Sequence, residues 1–297
     1  ADRRGIAVGI LDSLFGGGTG VNVAKRFDVQ LRVAQGTMSK VCKAYDRQLG
    51  RTVCLKVLDK VKTSEFEKRF QGFKDKKPTE GKISEQLKHP NIVVTYEHGK
   101  TSAGEQYLVT EWIEGTALST LIESKSPRLI GHRVEIAVQL CDAVAYLHGL
   151  KFLHRDLCPH NVIVTPDGVA KLIDFGLTVP YTPDYCQPGN RTGKQDYLAP
   201  EIMRRQPTDH RVDLFALGAT LFELFAGSVP WERSTTGEDN FRRRLNTPPR
   251  NPCDLNPDLD DEIAAVLTKG IAIERGSRYA TAIAMKQAYE SLERQDY

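Results

Sequence analysis

From Phe27 onward the apolar positions fall into two runs, "FDVQLRVAQGTMSKVCKAYD" and "RTVCLKVLD", separated by the turn-prone "RQLG". Successive side chains on a strand point to opposite faces, so these runs predict paired strands. The stretch from Thr63 to Leu87 is charged, has few breakers before Pro78 and places Ile83 and Leu87 at helical spacing. It predicts a helix whose lysines form a solvated face, with a docking surface as the less favoured reading. "NIVVTYEHG" and "EQYLVTEWI" predict two more strands. After Gly115 the period changes. "GHRVEIAVQLCDAVAYLHGL" repeats apolar residues every three or four positions without a breaker, which predicts a buried helix. "NVIVTPDGVAKLIDFG" predicts a hairpin turning at Pro166, Asp167 and Gly168. "VDLFALGATLFELFAG" predicts a second apolar helix, stopped at Gly227 and barred from extension by Pro230, and the tail from Asp260 is helical. The pattern is α+β: a small strand-rich half with one main helix, then a larger helical half, with the boundary near Glu114. No internal repeat or low-complexity tract interrupts it.

A chain of 297 residues is long enough for one large or two medium domains. Its net charge of +3 is too mild for a nucleic-acid binder. The six cysteines include no C-x-x-C pair and no histidines at metal spacing, so a disulfide framework is not expected and a reducing, cytoplasmic setting is. No apolar run reaches the ~18 residues that cross a bilayer. The opening stretch has a short apolar core broken by Asp12 and ends in the Gly-rich joint "FGGGTG". Residues 1–26 therefore read as a flexible or docking segment, 27–113 as the first lobe and 114–297 as the second. Whether the chain is a fragment of a larger, membrane-anchored protein is left open.

Candidate chemistry lies in the order of several short motifs. Lys56 sits between apolar neighbours in "VCLKVL", where a charge needs a partner, and Glu80 can supply one. His154-Arg155-Asp156, Asn161, Asp174-Phe175-Gly176 and Ala199-Pro200-Glu201 follow. Singly each has a plain reading as a strand lysine, a polar turn, a strand end or a loop-to-helix junction. In this order they are specific: the sequence resembles the protein kinase family from about Phe27 to Leu292, and "HRDLCPHN" with "YLAPE" resembles its eukaryotic-like Ser/Thr branch. The resemblance implies a two-lobed fold, a small antiparallel-sheet N-lobe and a larger helical C-lobe, that uses ATP and Mg²⁺ to phosphorylate protein substrates. Phosphoryl transfer needs positioning and charge neutralisation more than covalent help. By this resemblance Lys56, held by Glu80, meets the α- and β-phosphates. Asp174 and Asn161 offer oxygen ligands to Mg²⁺, and Asp156 accepts the proton of the substrate hydroxyl. Gly36 serves the phosphate loop. Adenine lies between the lobes, with Thr110 at the back wall, the Glu111 and Ile113 backbone on its edge, Cys54 and Val41 above and Ile163 below. Arg155 grips an activation-loop phosphate, with Thr192 preferred over Thr178 and Thr182 as its carrier, and Glu201 pairs with Arg278. Residues 1–24 are expected to be dispensable for nucleotide binding.

Three features depart from the family. The phosphate loop "AQGTMSKV" keeps a single glycine, Gly36. A column of side chains that crosses the lobes has two polar members, Ser84 and Thr95, with Phe175 and His154, and would pack poorly unless the two hydroxyls bond each other. That points to help from a regulatory partner, self-association or phosphorylation. Cys158 occupies the place of the usual catalytic-loop lysine, while Lys194 occupies the place of a threonine that touches that lysine in relatives. The charge is thus expected to have moved, Lys194 serving in place of position 158; in the plain alternative, Lys194 points to solvent. A pseudokinase that binds nucleotide or acts as a scaffold is the rival reading, and transfer of AMP a third. Substrate, activating signal and oligomeric state are not written in the sequence.

Overall fold

The computed structural model describes residues 20–35, 39–74, 76–189, 192–233 and 237–297. Packing divides the chain into two units, 1–88 with 93–113, and 89–92 with 114–297.

In the first unit, β1 (Phe27–Gln35), β2 (Ser39–Asp46), β3 (Arg51–Leu58), β4 (Thr95–Lys100) and β5 (Gln106–Glu111) form an antiparallel sheet in the order β1-β2-β3-β5-β4. Alternation in β3 sends Val53, Leu55 and Val57 into a core with Phe27, Ala44, Tyr107 and Val109, and leaves Cys54 and Lys56 on the opposite face. Two differences from expectation stand out. The short helix α1 (Val23–Arg26) buries Val23 in this core, and Val21 bridges to Thr101. Residues 20–26 therefore belong to the unit, and a deletion through residue 24 would remove packed residues as well as the segment 1–19, which lies outside the described residues. The single helix expected over Thr63 to Leu87 is two: α2 (Lys60–Lys68) and α3 (Glu80–Ser84). Pro78 has no N–H to donate and disfavours helix in the residue before it, so a new helix starts only beyond it, capped by the Thr79 hydroxyl on Lys82 N at 3.3 Å.

Arg26 fastens α1 to the sheet. Its guanidinium bonds Asp46 at 2.8 Å and Glu97 at 2.7 Å, and Tyr107 donates to the same Glu97 carboxylate. The Arg26 bond holds the Glu97 carboxyl below its ordinary value. Burial pushes Asp46 the other way, but Arg26 and the Gln48 and Leu49 N–H groups more than offset it.

The second unit holds α4 (Leu118–Glu123), α5 (Arg133–Gly149), α6 (Pro200–Met203), α7 (Arg211–Ala226), α8 (Gly237–Asn246), α9 (Pro252–Leu255), α10 (Asp261–Gly270) and α11 (Ala282–Glu290). Short strands β6 (Thr116–Ala117), β8 (Val162–Val164) and β9 (Ala170–Leu172) form one sheet; β7 (Phe152–Leu153) pairs with β10 (Val179–Pro180). The stretch 89–92 joins this unit because His89 bonds Asp142 at 3.1 Å and Asn91 bonds Gln139 and the Ala170 carbonyl. Helix α7 is apolar around almost its whole circumference and is buried accordingly. It crosses α10 at Gly218, where a Cβ would lie 2.6 Å from the Gly270 carbonyl carbon, so only glycine permits the contact. Among the described residues no helix is long and apolar enough to cross a membrane.

Candidate active site

In the first unit, Lys56 lies opposite Val41 on β2 and Leu108 on β5, and Cys54 opposite Thr110. The Lys56 ammonium meets Glu80 of α3 at 2.7 Å, with both side chains largely buried. A second lysine, Lys77, lies within electrostatic reach of the pair, and burial lowers its pKa; sequence reasoning did not single it out. Glu111 N–H is taken by the Val94 carbonyl at 2.8 Å, and Thr110 Oγ1 donates to the Glu111 carbonyl at 3.2 Å. Ser84 and Thr95 are buried and their hydroxyls have no partner among the described residues, so the bond between them that would have satisfied both is not made. Gly36 lies outside the described residues.

The second unit assembles the catalytic loop around Asp156. Asn161 Nδ2 donates to the Asp156 carboxylate at 2.9 Å and to its carbonyl at 2.7 Å, which orients the amide oxygen away from Asp156. Burial raises the Asp156 pKa, and the charge of Asp174 adds to the rise while Lys194 opposes it. Arg155 and Asp174 both hold left-handed backbone, φ 68° and 63°, a strain tolerated where side chains must be aimed. The His154 and Phe175 rings meet edge to face at 5.2 Å. Ile163 stands on β8 against Gly115, where a Cβ would lie 2.6 Å from its Cγ2.

Asp213, on the first turn of α7, fixes this loop from below. Its carboxylate accepts from His154 N at 2.7 Å, Arg155 N at 2.9 Å and His148 Nε2 at 3.0 Å. Burial works to raise its pKa, yet His148 and these donors hold it below the ordinary value. The sequence signal for Asp213 is a lone carboxylate at the head of an otherwise apolar helix.

Cys158 is 1% exposed, and burial pushes its thiol up to about 11, so it contributes no charge at neutral pH. Lys194 is exposed and lies within electrostatic reach of Cys158, Asp156 and His160. Gly193 allows this placement: its φ is 107°, and a Cβ there would lie 2.7 Å from the Arg155 carbonyl oxygen, so the chain at 193 rests on the catalytic loop. Arg155, expected to grip a phosphate, instead gives its guanidinium to the Tyr185 carbonyl and to Thr208 Oγ1 at 3.4 Å. Thr178 is fully buried and Thr192 is 7% exposed, so neither presents its hydroxyl in this conformation. Glu201 and Arg278 form a bidentate pair at 2.8 Å, almost wholly buried.

No group of three or more His, Cys, Asp or Glu side chains among the described residues could enclose a metal ion. Mg²⁺ keeps waters and phosphate oxygens and takes only one or two carboxylates from protein. Asp174 and the Asn161 amide oxygen are a hard donor set of that kind.

Comparison with known sequences identifies the arrangement. The sequence profile of the protein kinase domain matches residues 27–290. A probable serine/threonine-protein kinase of Corynebacterium efficiens is 30% identical over 287 residues, which cover 92% of this chain and 42% of that protein. Serine/threonine-protein kinase pkn3 of Myxococcus xanthus is 27% identical, covering 93% and 51%, and serine/threonine-protein kinase PknA of Mycobacterium tuberculosis is 29% identical, covering 91% and 63%. The chain spans about half the length of these curated relatives. It belongs to the protein kinase family, with residues 27–290 as the kinase domain.

Proposed function

We propose that this chain transfers the γ-phosphate of ATP to serine or threonine hydroxyls of a protein substrate, with Lys194 supplying the catalytic-loop charge that Cys158 lacks. The observation that carries this reading is the cluster in the second unit: Asp156 held by Asn161, with Asp174 and Lys194 within electrostatic reach of it. The Lys56–Glu80 pair supports it from the first unit, where Val41, Cys54, Thr110, Glu111 and Ile113 are the residues we assign to adenine.

The substrate oxygen bonds to the γ-phosphorus as the bond to the β–γ bridging oxygen breaks, and ADP departs. The hydroxyl proton passes to the Asp156 carboxylate, whose raised pKa makes it a better acceptor than an ordinary aspartate. Lys194 offers a fixed positive charge where negative charge develops. Mg²⁺ when bound would supply charge neutralisation of the phosphates, and Asp174 and Asn161 would hold it. The six cysteines are all free, which fits a reducing compartment such as the cytoplasm.

A second reading, a pseudokinase that depends on a partner, is favoured by Cys158 and by the unsatisfied hydroxyls of Ser84 and Thr95. Incubation of the purified chain with labelled ATP, Mg²⁺ and casein separates the two. Transfer of γ-label to serine or threonine, abolished by Asp174→Asn and by Asp156→Asn, is the expected result. Nucleotide binding without transfer establishes the pseudokinase, and incorporation of α-label marks AMP transfer.

A further inference from the structure

Arg244, in the last part of α8, is 3% exposed, yet its guanidinium ends on backbone carbonyls: Nη1 donates to Gln195 O, and Nη2 to Leu198 O at 2.8 Å. The cation is flanked by Phe215, 5.5 Å away, and Trp231, 5.4 Å away. Trp231 is itself fixed by its indole N–H on the Thr247 carbonyl at 3.0 Å. Burial brings the Arg244 pKa down to about 10, so the group is still charged at neutral pH. A desolvated guanidinium is costly to keep unless its donors are used and its faces covered. Here the carbonyls of one short piece of chain take Nη1 and Nη2, the Phe215 and Trp231 rings flank the cation, and Nε has no partner among the described residues.

That piece follows Lys194 directly. Lys194 caps the turn Gln195–Tyr197, with Tyr197 N–H on the Lys194 carbonyl at 3.0 Å. On its other side Gly193 rests on the Arg155 carbonyl. Lys194 is therefore held between two fixed points, one on the catalytic loop and one at Arg244. We infer that Arg244 is a positioning residue for Lys194: by grasping the carbonyls of Gln195 and Leu198 it sets the turn that holds the lysine's backbone beside the catalytic loop, within electrostatic reach of Asp156. This inference rests on the proposed phosphoryl transfer, and its test separates the two.

Arg244→Met keeps the length of the side chain and its contact with the two rings while removing both donors. With casein as substrate, kcat should fall about tenfold or more with the KM for ATP little changed. In a Lys194→Met background the same change should cost less than about threefold, because no ammonium remains to be aimed. Amide hydrogen exchange over residues 195–198, followed without nucleotide, should speed up about tenfold in Arg244→Met. Should Arg244→Met melt far below wild type, Arg244→Lys carries the same comparison, since one ammonium cannot hold both carbonyls in a planar fork. An equal cost in both backgrounds makes Arg244 a purely structural residue and overturns the inference. Unchanged exchange over 195–198 overturns it as well, even if the wild-type chain transfers no phosphate; that last result alone refutes the proposed function.

Discussion

At Lys194 the arithmetic of a single charge can be set against a single substitution. At about 4 Å and an effective dielectric near 20, its interaction with a developing negative charge is worth on the order of 4 kcal/mol before desolvation. Part of that acts only in the transition state, so Lys194→Thr should lower kcat by about 10²–10³. Lys194 also opposes the rise in the Asp156 pKa. Without it the carboxylate protonates at higher pH, and the acid limb of the residual activity should move upward; a pH–rate profile checks this. Returning a lysine to position 158 is less simple than exchanging two residues. Cys158 is buried, so Cys158→Lys alone should cost about 1–3 kcal/mol in overpacking and give no gain in rate. Coupling in turnover between Cys158→Lys and Lys194→Thr, measured as a double-mutant cycle, decides whether the two sites share one role. Ser84 and Thr95 allow the opposite kind of test. Each buries an unpartnered hydroxyl, so Thr95→Val should raise stability by about 1 kcal/mol in a denaturant titration.

Among the elements, α1 depends on one arginine. Arg26→Met leaves Asp46 and part of Glu97 buried without a cation, which should cost about 3–5 kcal/mol at neutral pH. Both carboxyls are held below their ordinary values, so their contribution is present above the unfolded pKa and lost as pH falls through the folded one. The stability difference between variant and wild type should therefore shrink below about pH 4, and urea titrations across pH follow it. Much of this architecture was legible in the sequence. The alternation of Val53, Leu55 and Val57, and the uninterrupted helical period of α5 and α7, report burial directly, because each is a repeat fixed by local geometry. The ordered motif from Lys56 to Glu201 was legible because its chemistry demands those residue types. What escaped was long-range. Nothing near Val23 announces that it enters the core, nothing in "RRRLN" shows that Arg244 ends on carbonyls 46 and 49 positions earlier, and Asp213 looks like a solvated start to a helix until the loop it holds is in place. The break between α2 and α3 was written at Pro78 but was outweighed by the charge pattern on either side.

For the molecule as a whole, the catalytic loop does not hold itself in place; α7 holds it through Asp213. The same helix meets α10 at Gly218 with no room for a methyl group. Five residues at 1.5 Å each set these two points about 7.5 Å apart along one rigid rod. Gly218→Ala must push the helices apart or shift α7 along its length, and in either case the carboxylate beneath His154 and Arg155 moves. The variant should melt lower and lose kcat while its KM for ATP changes little, a pattern that melting curves and steady-state kinetics read out separately. The missing side chain at Gly218 thus acts as a dimensional tolerance: the space of one hydrogen atom, remote from every reacting group, sets how accurately the proton acceptor can be aimed.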